Sequence, residues 1–209
     1  MLNECCHQQD GLTATSVVEQ LTNPVKLWTR GEVCIRQSPI PRHAGVYAWY
    51  FRELPGAVDA SECVRQGDMT LLYVGISPKA PPKNGKPPSC QTLRSRIRYH
   101  YRGNAAGSTL RLTLGCLLAA KLGIELRCVG SGKRRTFSQG ERLLSEWMDA
   151  NAFVCWAECD EPRIVEERLI STLSLPLNLD QNARHSFCSV LKAIRKAAAD
   201  RARGLPVVC

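Results

Sequence analysis

Apolar positions along this chain follow two periods, and the changes between them mark out the elements. Residues 46–51 (Val-Tyr-Ala-Trp-Tyr-Phe) are rich in aromatic and β-forming side chains. With period two, Tyr47, Trp49 and Phe51 face one way and Val46, Ala48 and Tyr50 the other. Further strands are predicted over 71–76 and 153–159. Strands adjacent in sequence usually pair, so the first two should form an antiparallel hairpin. The residues between them, 52–68, include Pro55, Gly56, Asp59 and Gly67. They read as a long connection or a surface insertion.

Elsewhere the period is helical. Over 92–102, Thr92 is the N-cap, Gly103 the stop, and Leu93, Ile97 and Tyr101 the apolar stripe. Arg96 and His100, four apart, meet on one face beside that stripe. Arg94, Arg98 and Arg102 form another row. A second helix is predicted over 108–122, ended by Gly123. The Ser138-to-Glu141 spacing reads as a capping box opening a helix that runs to about 150. Pro162 sits in the first turn of a helix reaching about 174. The last helix, 187–203, has Phe187, Val190, Leu191, Ile194 and Ala198 on one side. Lys192, Arg195, Lys196 and Arg203 lie mostly on the other. Upstream, 15–21 suggests a short helix and 33–35 a short strand, before Pro39 and Pro41. A short strand over 124–129 leads into the basic turn 130–135. That turn lacks the GxxxxGK[ST] pattern of a phosphate loop.

Composition narrows the class. With 209 residues and 44% apolar content the chain can bury a sizeable core. Its formal net charge is +9, which favours a polyanionic partner. The charge is unevenly placed, because no Asp or Glu occurs from Met69 to Ile124. That stretch holds Lys79, Lys83, Lys86, Arg94, Arg96, Arg98 and Arg102. The loop 78–88, rich in proline and lysine, is a candidate substrate-contacting segment or a plain linker. The N-terminus reads as no secretory signal, and no apolar run approaches the ~18–20 residues that span a bilayer. A cytoplasmic protein without a membrane partner is expected. The eleven cysteines are scattered, so they read as small apolar residues or free thiols rather than a zinc framework.

Gly45-Val46-Tyr47, Tyr73-Val74-Gly75, Leu93-Arg94-Ser95-Arg96-Ile97, then Glu166, and Asn178 twelve residues later, occur in this order. Together they resemble the GIY-YIG endonuclease domain over about 41–182. The resemblance implies an α+β fold: a small three-stranded antiparallel sheet flanked by helices, here with helical insertions and a C-terminal helix. The chain then divides into an N-terminal extension (1–40), the nuclease-like domain (41–185) and a basic C-terminal helix and tail (186–209).

The same resemblance implies hydrolysis of a nucleic-acid phosphodiester, duplex DNA by default, with one divalent cation, Mg²⁺ or Mn²⁺. Tyr47 and Tyr73 would line the cleft, Arg96 hold the scissile phosphate, Glu166 ligate the metal and Asn178 order the site. Tyr47 would accept the water's proton, or His100, whose unperturbed pKa suits the task better. Glu167 is the competing ligand beside Glu166. Lys79, Lys83, Lys86, Arg94, Arg98 and Arg102 are the candidate nucleic-acid contacts. His185 is either a supporting group or a surface residue. Three features depart from the family pattern. Tyr47 and Tyr73 are 26 residues apart, the loop 78–91 pushes Tyr73 and Arg96 apart, and Ile76-Ser77 stands where many members carry a lysine. The competing reading is a nucleic-acid-binding module that kept the fold without the activity.

Overall fold

A computed structural model describes residues 14–79 and 89–208. Its centre is an antiparallel sheet built on β1 (Gly45–Phe51), β2 (Arg65–Gln66), β3 (Met69–Ser77) and a late strand, Ala152–Glu158. Two short strands, β4 (Arg127–Val129) and β5 (Arg134–Thr136), form a separate hairpin, so Ala152–Glu158 is β6. The order in the main sheet is β2-β3-β1-β6. The fold class matches the expectation, with one extra strand. The insertion 52–68 supplies β2, which folds back on β3 through a two-residue turn where Gly67 takes φ +60°.

β1 is buried along its whole length. Its two faces enter two different cores, as the alternation predicts. Tyr47, Trp49 and Phe51 pack with Leu93, Ile97 and Tyr101. Val46, Ala48 and Tyr50 pack with Val17, Leu21, Val165 and Leu169. The sheet is therefore a layer between helices. On one side lies α3 (Leu93–Arg102). On the other are α1 (Ala14–Thr22) and a helix over Pro162–Thr172. The α3 stripe is fully buried, each side chain contributing about 1.5–3 kcal/mol. The Tyr101 hydroxyl donates to the Ala152 carbonyl at 2.7 Å, tying α3 to β6.

Several local expectations change. Val33 lies not in a strand but in α2 (Arg30–Val33). Thr29 and Glu32 form a capping box there, and that local hydrogen bonding outweighs the β-propensity of Val33. The sheet-like contact falls upstream: Trp28 and Val154 exchange backbone hydrogen bonds at 2.9 and 3.0 Å. The helix expected over 108–122 breaks at Leu118 into α4 (Thr109–Leu117) and α5 (Ala119–Leu122). The strand expected over 124–129 is only β4.

Ser138 does not cap α6 (Gly140–Asn151), because φ is +50° there and Gln139 takes the N-cap position. The cause is tertiary. The Glu141 carboxylate, which the box would need, instead binds the fully buried Arg111 at 2.6 Å. It also accepts from the Ala105 and Phe137 N–H groups at 2.8 and 3.1 Å. Arg111 in turn donates to the His100 and Tyr101 carbonyls at the end of α3. This pair holds the α3–α4 connection in place. The helix Pro162–Thr172 is α7, and α8 (Phe187–Gly204) closes the described chain against α4 and the β4–β5 hairpin. On α8, Val190 is exposed rather than part of the buried stripe.

Candidate active site

The β1–β3 register sets Tyr47 opposite Gly75. The tyrosine lies across that glycine, so a Cβ on Gly75 would come within 2.6 Å of the Tyr47 hydroxyl oxygen. Gly45 is a second close approach, where a Cβ would come within 2.2 Å of the Ala157 carbonyl oxygen and 2.8 Å of Leu93 Cδ1. The first glycine lets β1 lie tight against β6 and α3. The second leaves room for the first tyrosine.

Tyr47, Tyr73 and Gly75 form the floor of a cleft of about 730 Å³. α3 contributes Arg96, α4 contributes Thr109 and Thr113, and α7 contributes Glu166. Asn178 and Asp180 come from the segment after α7, and Lys192 and Arg195 from α8. Of the residues singled out from sequence, Tyr47, Tyr73, Lys79, Arg96, Glu166 and Asn178 meet here.

Arg96 is 2% exposed. Nη1 donates to the Gly107 carbonyl at 2.9 Å, and Nε has no protein partner. Among the described residues, no carboxylate pairs with it. A buried cation held this way is costly, and an anion in the cleft would offset that cost. Glu166 is half-buried, whereas Glu167 points to solvent. Burial, and then the nearby Asp180, push the Glu166 pKa up to about 7, with Arg163 partly opposing.

Asn178 lies against β3. The Val74 N–H donates to Oδ1 and Nδ2 donates to the Val74 carbonyl, each at 2.9 Å. Its amide thus acts as a one-residue strand partner for the residue between Tyr73 and Gly75. The Leu177 N–H donates to the Leu72 carbonyl at 3.1 Å and extends this edge.

His100 does not line the cleft. It is fully buried behind Tyr47, among the rings of Tyr47, Trp49 and Tyr73. Nε2 lies 2.8 Å from the Tyr47 hydroxyl and Nδ1 lies 2.7 Å from Ser108 Oγ. Ser108 is the N-cap of α4, accepting from the Arg111 N–H at 3.1 Å. Burial, then Arg96, Lys79 and Arg111, hold the imidazole well below its usual pKa, so it is neutral at pH 7. Burial also raises Tyr47 above the ordinary phenol range, Tyr73 adding to the rise and Arg96 opposing it.

The candidate nucleic-acid row divides. Lys79 reaches the cleft. Arg94 donates to the Ile40 and Ser38 carbonyls at 2.6 and 2.9 Å, and Arg102 donates to the Cys34 carbonyl. These two arginines fasten the upstream segment to α3. Arg98 lies in a shallow depression with Arg42 and Arg94, apart from the cleft. Lys83 and Lys86 lie outside the described residues. His185 is a supporting group of another region, 3.1 Å from Ser174 Oγ and accepting from the Phe187 N–H at 3.1 Å where α8 begins.

Sequence reasoning missed Thr109, Thr113, Asp180, Lys192 and Arg195. One signal was present: Thr109 and Thr113, four apart, make a polar line through a leucine-rich helix.

Among the described residues, no group of three or more His, Cys, Asp or Glu side chains gathers to hold a metal. Glu166, with Asp180 in the same cleft, is too sparse a set for a zinc site. It suits Mg²⁺, which takes one or two carboxylates and keeps waters. No helix among the described residues is long and apolar enough to cross a membrane.

No curated protein and no solved structure matches the chain. The family model of the GIY-YIG catalytic domain matches residues 45–197, from the first glycine of β1 into α8. That match runs over every residue of the cleft described above, and the chain belongs to the GIY-YIG family, whose domains act on nucleic acid.

Proposed function

We propose that this protein is a metal-dependent endonuclease that hydrolyses phosphodiester bonds in duplex DNA. The observation that carries this reading is the buried, unpaired Arg96 facing a half-buried Glu166 across a cleft floored by two tyrosines. A binding surface needs cations, but it has no use for a carboxylate held back from solvent beside them.

Arg96 presents its fork to the phosphate oxygens. Glu166, with Asp180 in the same cleft, would hold a single Mg²⁺ or Mn²⁺. When bound, that ion supplies positive charge to the scissile phosphate and the leaving oxygen. Asn178 keeps β3 and the segment after α7 in register around the acid.

Proton removal from the attacking water runs through two residues in series. Half-ionising even a free phenol at pH 7 costs about 4 kcal/mol, and burial raises that cost for Tyr47. A standing tyrosinate is therefore not the base. Tyr47 accepts the water proton as its own hydroxyl proton passes to His100 Nε2, 2.8 Å away, once the anionic phosphate on Arg96 offsets one of the charges that hold the imidazole neutral. The Nδ1–H of His100 donates to Ser108 Oγ throughout. The water oxygen bonds to phosphorus, and the P–O bond to the leaving oxygen breaks.

The test is incubation of supercoiled plasmid and branched DNA with wild type and Glu166→Ala, with and without Mg²⁺ or Mn²⁺. Cleavage by wild type alone, only with metal, is expected. Equal behaviour of the two proteins overturns the reading, and salt-sensitive binding without cutting by either supports a binding module instead.

A further inference from the structure

The cations of α8 fall into two groups. Lys196, Arg201 and Arg203 are paired with carboxylates: Lys196 and Arg203 with Asp200, and Arg201 with Glu125. Lys192 and Arg195 are not in ion pairs among the described residues, and these two line the cleft. They are three apart, so they share one face of the helix. Arg195 is half-buried, and among the described residues its side chain makes one long hydrogen bond, Nη1 to Thr113 Oγ1 at 3.5 Å.

Arg195 is also not isolated from further charge. Burial pulls its pKa down, Cys116 and Asp180 raise it, and Arg135 of β5 lowers it. Arg135 is therefore a near neighbour of Arg195, in a basic hairpin that also carries Arg134 and Lys133. The left-handed Gly130 and Gly132 turn this hairpin tightly, with φ +58° and +81°. α8 packs on β4, and the segment after it is tied to the hairpin: the Arg127 guanidinium donates to the Pro206 carbonyl at 2.8 Å, and the Val208 N–H to the Cys128 carbonyl at 2.9 Å. α8 thus brings a second pair of cations to the cleft that Arg96 lines, and it packs against the β4–β5 hairpin. The two acids Glu166 and Asp180 line the same cleft.

We infer that Arg195 and Lys192 form a second phosphate subsite, which binds a non-scissile phosphate of the nucleic acid whose scissile phosphate lies at Arg96. A cleft of about 730 Å³ holds more than a single phosphate. On α8, the cations with no carboxylate partner among the described residues are the ones that line it. The subsite rests on the nuclease reading but acts on binding, so it is tested apart from the chemistry.

The experiment measures the affinity of Glu166→Ala for a labelled DNA duplex over a series of salt concentrations, alone and combined with Arg195→Ala, Lys192→Glu or Lys196→Ala. Lys192 and Lys196 are exposed, so their replacement tests the charge without risk to the fold. Arg195→Ala and Lys192→Glu should each weaken binding about tenfold and flatten the salt dependence by about one unit of slope. Lys196→Ala, already neutralised by Asp200, should match its parent. In the cleaving protein, Arg195→Ala should raise KM while leaving kcat within a few-fold. Unchanged affinity and slope in both cleft variants overturns the subsite while leaving the nuclease reading intact. Failure of every variant to bind DNA overturns both. Cleavage abolished with unchanged affinity also overturns the subsite, by making Arg195 part of the chemistry instead.

Discussion

Tyr47 and Gly75 face each other across the β1–β3 pair, and the tyrosine occupies the space that a side chain at position 75 would need. The two tripeptides are therefore one device. A glycine in the second makes room for the tyrosine of the first, and the hydroxyl placed there reaches both the cleft and His100.

Gly75→Ala should consequently disable the site more than the fold. The added methyl would meet the Tyr47 hydroxyl at 2.6 Å and push the ring out of its place against His100. Overpacking of this kind costs about 1–3 kcal/mol. Thermal unfolding should shift by only several degrees while cleavage falls at least 100-fold. Full activity in Gly75→Ala would show that the tyrosine need not sit there.

The Tyr47–His100–Ser108 chain predicts graded effects. Tyr47→Phe removes the group that meets the water and should abolish cleavage. His100→Phe removes the acceptor behind it and should lower kcat by about 10²–10⁴ with KM little changed. Ser108→Ala removes a helix cap, at about 1 kcal/mol of stability, and frees Nδ1. It should lower kcat less than His100→Phe does. Equal activity of His100→Phe and wild type would leave Tyr47 as the sole base.

Glu166 makes the metal-free protein sensitive to pH. Its folded-state pKa of about 7 lies above the ordinary 4.5, so the protonated form is favoured on folding. The stability this contributes is complete below pH 4.5 and is lost as pH rises through 7. At pH 8 the charged carboxylate should cost up to about 3 kcal/mol. Without metal, Glu166→Gln should melt up to about 10 °C higher than wild type at pH 8, and at the same temperature near pH 4.5. Mg²⁺ should raise the Tm of wild type at pH 8 and leave the variant unmoved. Identical melting curves at all pH values would mean that the carboxylate is solvated in the folded protein.

Arg111 and Glu141 bear the stability of the loop that carries Gly107 and Ser108. Glu141→Gln leaves a fully buried guanidinium without its counter-charge, at a cost of about 3–5 kcal/mol. The Tm should fall by about 10 °C, as read by circular dichroism. Replacing both residues by apolar ones, Arg111→Met with Glu141→Leu, should recover part of that loss. A neutral outcome for Glu141→Gln alone would show that water reaches Arg111.

Much of this could be read along the chain because the signals were local. Thr92 and Gly103 bound α3 as expected, and the alternation in β1 separates two cores residue by residue. The spacing from Glu166 to Asn178 was legible too, since one helix and one turn set it. Misreadings arose where a distant group competed. Glu141 could have closed a capping box with Ser138, but Arg111, thirty residues earlier, binds its carboxylate more strongly. Arg94 and Arg102 read as free cations because the carbonyls that engage them lie 54 to 68 residues upstream.

By itself, then, the sequence determined the strands, the helix that carries Arg96 and His100, and the residue types able to handle a phosphodiester. These follow from periodicity, caps and glycine placement, all of which act over a few residues. Only the tertiary structure decided which of those groups meet. It buried His100 behind Tyr47 rather than in the cleft, turned Asn178 into a strand partner for Val74, and brought Arg195 into the cleft that Arg96 lines. Burial, charge pairing and hydrogen-bond geometry are sums over neighbours far apart in the chain, and those neighbours are assigned only when the sheet and its helices pack.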